Sequence, residues 1–202
     1  MSFVLPAEIV LASGNQGKLK ELSELLSDCP NTLRLQSEFG VEPADEPACT
    51  FIENALLKAR HAAARTGLAA VADDSGLSVD ALGGAPGVRS ARYAGEPSDD
   101  ARNRARLIED LADVAPDERG AAFHCTIVLL RHADDPIPIV ASGVWRGMIA
   151  QAARGNGGFG YDPVFIANDT PGRTAAELTK QEKNARSHRA RAIAALRTLL
   201  TA

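Results

Sequence analysis

The chain has 202 residues, a formal net charge of −4, 45% hydrophobic and 24% charged residues. This composition excludes a disordered chain and admits one domain, or two packed lobes, around a substantial apolar core. The acidic balance argues against a nucleic-acid binder, which needs a basic stripe, and apolar runs such as Thr126 to Leu130 are too short to span a bilayer. No basic segment leads into an apolar stretch at the start of the chain, so a cytoplasmic location is expected. Cys29, Cys49 and Cys125 are widely spaced and odd in number, which predicts buried or half-buried thiols rather than a disulfide framework.

In chain order, Glu8 to Ser13 reads as a short buried strand running into Gly14-Asn15-Gln16-Gly17. Leucines at 19, 22, 25 and 26 then give Lys18 to Ser27 the spacing of an amphipathic helix. Thr32 to Gln36 is a second strand candidate, and the acidic, proline-bearing stretch Glu38 to Ala48 a loop. Thr50-Phe51-Ile52-Glu53 is a helix capping box. Behind it Ile52, Ala55, Leu56, Ala59 and Ala63 form an apolar stripe, with Asn54, Lys58, His61 and Arg65 on another face.

Ala69 to Ala72 is a short strand delivering Asp73-Asp74-Ser75-Gly76 at its end, and Gly83 to Gly87 is a turn-rich loop. Ser98 to Ala112 has the pattern of a polar helix. Ala121 to Arg131 and Ile137 to Arg146 form a predicted antiparallel hairpin, Val164 to Ile166 a further strand, and Thr179 to Leu200 a largely helical end. The sum is a mixed sheet with helices on its faces, divided into two lobes by a cleft.

Four constellations carry chemistry. A strand feeding a helix through Gly14 and Gly17 offers backbone N–H groups and the positive helix end to a phosphate, with Lys18 as a mobile cation. It is not a P-loop, since two residues separate the glycines and Leu19 stands where Ser or Thr is required; a tight turn with a solvated lysine accounts for it equally well. A carboxylate from Asp73-Asp74 can hold Mg²⁺ or orient water, although an acidic turn has the same composition. Alternation along a strand allows only one of the two to face a given site.

Gly155-Asn156-Gly157-Gly158-Phe159-Gly160 satisfies the dinucleotide pattern GxGxxG, but Tyr161-Asp162-Pro163 and a strand follow where that fold needs a helix. The Rossmann reading is rejected. A glycine-rich loop presenting Phe159 and Tyr161 suits close approach to a flat base, or is an ordinary surface loop. Lys180 to Arg191 reads by itself as the solvated face of a helix.

Together these strings resemble the ITP/XTP pyrophosphatase family. The likeness runs from Ser13-Gly14-Asn15-Gln16-Gly17-Lys18 through Thr50 to Ala55 with Lys58, Ala72 to Leu77, Gly83 to Gly87, Ser90 to Gly95, Gly158 to Pro163 and Thr174 to Leu178, ending at Ser187-His188-Arg189. It implies one α/β domain over residues 1–202, with an elongated twisted mixed β-sheet flanked by helices and two lobes around a central substrate cleft. It also implies a Mg²⁺-dependent homodimer that converts non-standard purine nucleoside triphosphates to monophosphate and pyrophosphate. By position, Ser13, Gly14, Asn15, Gln16, Gly17 and Lys18 would hold the triphosphate, joined by Lys58. Glu46 and Asp74 would act on the metal, Asp74 also as general base, and Asp73 is a further candidate ligand. Ser75 would touch substrate, and Phe159, Gly160, Tyr161, Asp162, Lys183, His188 and Arg189 would line the nucleoside pocket. Two rivals share these residues: a non-catalytic nucleotide sensor, and a pyrophosphatase for modified pyrimidine triphosphates.

Overall fold

The structure, a computed structural model, describes residues 6–13, 23 and 32–201. Six strands form a mixed sheet: β1 (Glu8–Leu11), β2 (Thr32–Leu35), β3 (Ala69–Val79), β4 (Gly120–Leu130), β5 (Ile139–Ile149) and β6 (Phe165–Ala167), in the order β2-β1-β3-β4-β5-β6. β1 runs parallel to β2 and to β3, whereas β6 runs antiparallel to β5. The described helices are α1 (Phe51–Thr66), α2 (Asp100–Asp110), α3 (Lys180–Asn184) and α4 (His188–Thr201). None of them is long and apolar enough to cross a membrane.

The chain divides into two compact units, 1–74 with 125–143 and 191–202, and 75–124 with 144–190. The divisions fall inside β3, β4 and β5, each an 11-residue strand, and inside α4. No linker composition marks them because no linker exists there.

In the first unit the period-2 alternation of β1 serves two cores. Ile9 and Leu11 join Ala192, Ile193 and Leu196 of α4, while Val10 and Ala12 join Ala55, Ala59, Ala62 and Ala63 of α1. A strand apolar on both faces is what a parallel strand between two helices requires, and the alanines let α1 lie close on the sheet. In the second unit Phe123, Trp145 and Phe165 pack with Leu107 and Leu111, ring centroids being 4.6 Å apart for Phe123–Phe165 and 5.3 Å for Trp145–Phe165. The Trp145 indole N–H is satisfied by Asp169 Oδ1 at 2.9 Å. A Cβ on Gly147 would meet the carbonyl oxygen of Ile166 at 2.2 Å, so β5 meets β6 over a residue without a side chain.

Two sequence expectations change and a third, the largely helical end of the chain, is refined. Asp73 to Gly76 lie inside β3, not at the end of a shorter strand, because pairing with the flanking strands overrides the turn preference of Asp, Ser and Gly. The C-terminal helix is broken between Asn184 and His188, where the Ser187 hydroxyl accepts from the Ala190 N–H at 3.2 Å and starts a new helix. Cys49 is exposed, since it precedes the N-cap Thr50 outside the packed stripe of α1; Cys125 is buried, and Cys29 lies outside the described residues. The helix predicted over Lys18 to Ser27 lies outside them too, apart from Ser23, which is helical.

The connection from β4 to β5 is tied by Asp135, whose side chain is fully buried. Its carboxylate accepts from the N–H groups of Arg131 and Ile137, each at 3.0 Å, and from the Arg131 guanidinium, with Nε at 2.8 Å. These bonds, led by the guanidinium, hold its pKa well below the ordinary carboxylate value of 3.8. A depressed carboxylate adds stability above its unfolded-state pKa and loses it as pH falls through the folded value. Asp135→Ala is expected to cost about 2 kcal/mol at neutral pH, the scale of removing a buried charge-assisted acceptor. In urea melts at pH 7 and pH 3, Asp135→Asn should lose less stability on acidification than the parent; equal losses would remove this assignment.

Candidate functional site

The first unit contains a cluster built by the opening turns of α1. Thr50 caps the helix, its Oγ1 accepting from the Glu53 N–H at 3.3 Å. Capping fixes the helix start and sets Asn54 and Lys58, four residues apart, on one face. Asn54 is fully buried and bonds in two directions. Its Oδ1 accepts from the Ala48 N–H at 3.0 Å, which seats the acidic segment, and its Nδ2 donates to Asp74 Oδ2 at 3.3 Å. The Lys58 ammonium lies 3.1 Å from Asp74 Oδ1 and 3.2 Å from Glu46 Oε1. Two carboxylates thus converge on one cation, in a setting where Lys58 and Asp74 are largely buried.

Burial raises the Asp74 pKa above its ordinary value of 3.8; Lys58 and Asn54 oppose the rise and the Glu46 charge adds to it. The carboxylate is therefore a stronger base than a solvated aspartate. Asp73, its buried neighbour on the strand, alternates to the opposite face. Ser13 follows β1, its N–H donating to the Leu11 carbonyl at 2.8 Å. Gly14, Asn15, Gln16, Gly17 and Lys18 lie outside the described residues.

The second unit holds a cavity of about 160 Å³. It gathers Ser75 from β3, the loop Phe159 to Asp162, and Lys183, His188 and Arg189 from the last two helices. The C-terminal run is therefore no solvated face at this point: His188 is buried and stacks on Phe123, ring centroids 4.8 Å apart at 14°. Phe159 is 62% exposed, with the Lys183 ammonium 4.6 Å above its ring. Lys183 also forms an ion pair with the buried Asp162, whose Oδ2 accepts from the Phe159 N–H at 2.8 Å.

Gly158 has φ +71°, and a Cβ there would stand 1.9 Å from Asp162 Oδ2, so only glycine permits this turn. The Tyr161 hydroxyl donates to the Ser90 carbonyl at 2.8 Å, and burial pushes its pKa up, leaving a neutral, fixed donor.

Sequence reasoning missed four contributors. Asn54 was legible as a face-mate of Lys58, but not as a partner of Asp74. Phe123 and Ser90 also line the cavity, and Asp100 reaches it from the first turn of α2. Nothing local marks Phe123 or Asp100, whose roles come from contacts tens of residues away in the chain, whereas Ser90 opens the Ser90 to Gly95 string of the resemblance without a role assigned to it there.

An α/β protein results, with a cation-bridged carboxylate pair in one unit and an aromatic-walled cavity lined by titratable groups in the other. The chain belongs to the Ham1 family, matching it over residues 9–199. A dITP/XTP pyrophosphatase of Salmonella paratyphi A is 58% identical over 92% of this chain and 94% of that protein. A HAM1 protein of Coxiella burnetii superimposes with a TM-score of 0.93 at 50% identity, covering 97% of this chain and 99% of that one. A nucleoside-triphosphatase/dITP/XTP pyrophosphatase of Mycobacterium abscessus gives a TM-score of 0.80 at 47% identity, with 94% and 98% covered.

Proposed function

We propose that this chain hydrolyses non-standard purine nucleoside triphosphates, ITP and dITP, XTP and dXTP, to the monophosphate and pyrophosphate, clearing them from nucleic-acid precursor pools. The observation that carries this reading is the near full-length match to a dITP/XTP pyrophosphatase at 58% identity. The chemistry of the two sets of side chains supports it. Residues 1–202 act as one domain, as a homodimer in the cytoplasm.

In the reaction, water attacks the α-phosphorus, the bond from that phosphorus to the bridging oxygen breaks, and pyrophosphate leaves. Asp74 accepts the proton of the attacking water, a role suited to a carboxylate whose burial has raised its basicity. Asn54 and Lys58 aim that carboxylate through the bonds at 3.3 and 3.1 Å. Lys58 and Lys18 offset phosphate charge, with Ser13 and residues 14–17 holding the triphosphate, and most of the rate enhancement comes from this alignment and charge stabilisation.

The donor set fits magnesium. Glu46 and Asp74 offer hard oxygen donors that already converge on one cationic atom, and this ion typically takes one or two carboxylates with substrate phosphates. Magnesium bound by them would neutralise phosphate charge.

Base selection falls to the cavity. Hypoxanthine and xanthine present a 6-oxo acceptor where adenine presents an amino donor. His188 and Arg189 supply donors, while Phe159 offers its exposed ring for stacking. Sites built on buried hydrogen bonds discriminate by roughly 10⁴.

A triphosphate panel with and without Mg²⁺, scored separately for pyrophosphate and orthophosphate, tests the proposal. ITP, dITP and XTP should release pyrophosphate far faster than ATP or modified pyrimidine triphosphates, and chelation should stop the reaction. Equal turnover of ATP and ITP, or orthophosphate as the product, would refute it. Binding without turnover would leave the sensor reading.

A further inference from the structure

We propose that Asp100 and Arg104 are positioning residues that hold the glycine loop of the cavity in its base-binding shape. This rests on the function just proposed. The Gly160 N–H donates to Asp100 Oδ2 at 2.7 Å, and the Gly160 carbonyl accepts from Arg104 Nη1 at 2.8 Å. The N–H belongs to the peptide before Gly160 and the carbonyl to the peptide after it. One helix therefore grips both flanking peptides with side chains of opposite charge, spaced i and i+4 so that they share a face.

The loop needs such a grip. Glycines at 155, 157, 158 and 160 give it more accessible backbone conformations than any other stretch of its length, and Gly160 itself sits at φ +57°. Phe159 and Tyr161 flank Gly160, so a rotated peptide at this point redirects both rings. Tyr161 has its own tie to Ser90 and the Phe159 N–H is held by Asp162, whereas the two peptides meeting at Gly160 are held from α2.

α2 is seated independently of this grip. Asn103 accepts from the Ala94 N–H at 2.7 Å and donates to the Ala91 carbonyl at 2.9 Å, and Leu107 is fully buried. Removing the Asp100 or Arg104 side chain therefore releases the loop while the helix stays in place.

The test is steady-state kinetics on ITP and ATP for Asp100→Ala, Arg104→Ala, their double variant and Asp100→Asn, with Arg106→Ala as control. Arg106 pairs with Asp110 on the same helix. KM for ITP should rise about three- to tenfold in each alanine variant, the scale of one hydrogen bond, with kcat within about twofold of the parent. The double variant should fall short of the product of the two effects, since both act on one loop. Asp100→Asn keeps an acceptor oxygen and should restore KM; a helix-charge role would leave it as impaired as alanine. An unchanged KM, a fall in kcat alone, or failure of the asparagine rescue would overturn the assignment. If the parent turns over no ITP, the functional reading fails by itself, and the same ratios are then read from ITP affinity by calorimetry.

Discussion

Asp74→Asn is expected to lower kcat for ITP by at least ~10², the usual scale for losing a general base, while nucleotide binding remains measurable. Asparagine preserves the shape of the side chain and can still accept from Asn54 or Lys58, but it cannot take a proton from water. The effect should therefore appear in kcat rather than in KM. Two further signs follow from the raised pKa of Asp74. A base must be deprotonated, so the parent rate should fall along an acid limb at low pH, and the variant should lack that limb. A group whose folded pKa is raised adds stability below its unfolded pKa and loses it as pH rises. The charged carboxylate is thus a burden on the fold at neutral pH, and the asparagine variant should melt no lower than the parent. Near-normal turnover, or a clear drop in melting temperature at pH 7, would defeat the assignment of Asp74 as a buried base.

Lys58→Met should reduce kcat by about 10²–10³, the range observed when one preorganised charge-stabilising donor is removed. Methionine keeps the length and apolar stem of the side chain but leaves Glu46 and Asp74 facing each other without the ammonium that now bridges them at 3.2 and 3.1 Å. Lysine is the chief influence holding the Asp74 pKa down, so its loss should push that pKa further up and move the acid limb of the rate profile to higher pH. Lys58→Arg should not restore the parent rate, because a planar guanidinium cannot occupy the position of a compact ammonium contacted from two sides. A rate profile that keeps its acid limb in place after Lys58→Met would show that the ammonium does not tune Asp74.

Part of the candidate site is legible in the sequence. The capping box at Thr50 placed α1 and put Asn54 and Lys58 on one face, because a cap fixes where helical periodicity begins. The glycine loop was separated from the Rossmann pattern by Tyr161-Asp162-Pro163, and in the structure a short turn over Asp162–Val164 and then β6 follow it. Elsewhere local preference misled. Asp73 to Gly76 have turn composition yet lie within β3. Lys180 to Arg191 has the charge of a solvated helix, yet His188 lies buried against Phe123. A serine at 187 was the local signal for the helix break, since serine favours the N-cap.

By itself the amino-acid order determined what depends on neighbours within a few residues. The strand alternation of β1, the start and faces of α1, the tight turns that only glycine permits, and membership of a family through short strings in a set order all belong here. The tertiary structure alone decided which carboxylate meets Lys58, that Asn54 reaches Asp74 across 20 residues, and that Asp100 meets Gly160 across 60. Such contacts are chosen by sheet pairing and by the burial of side chains against distant elements, free-energy terms that no local window of sequence contains.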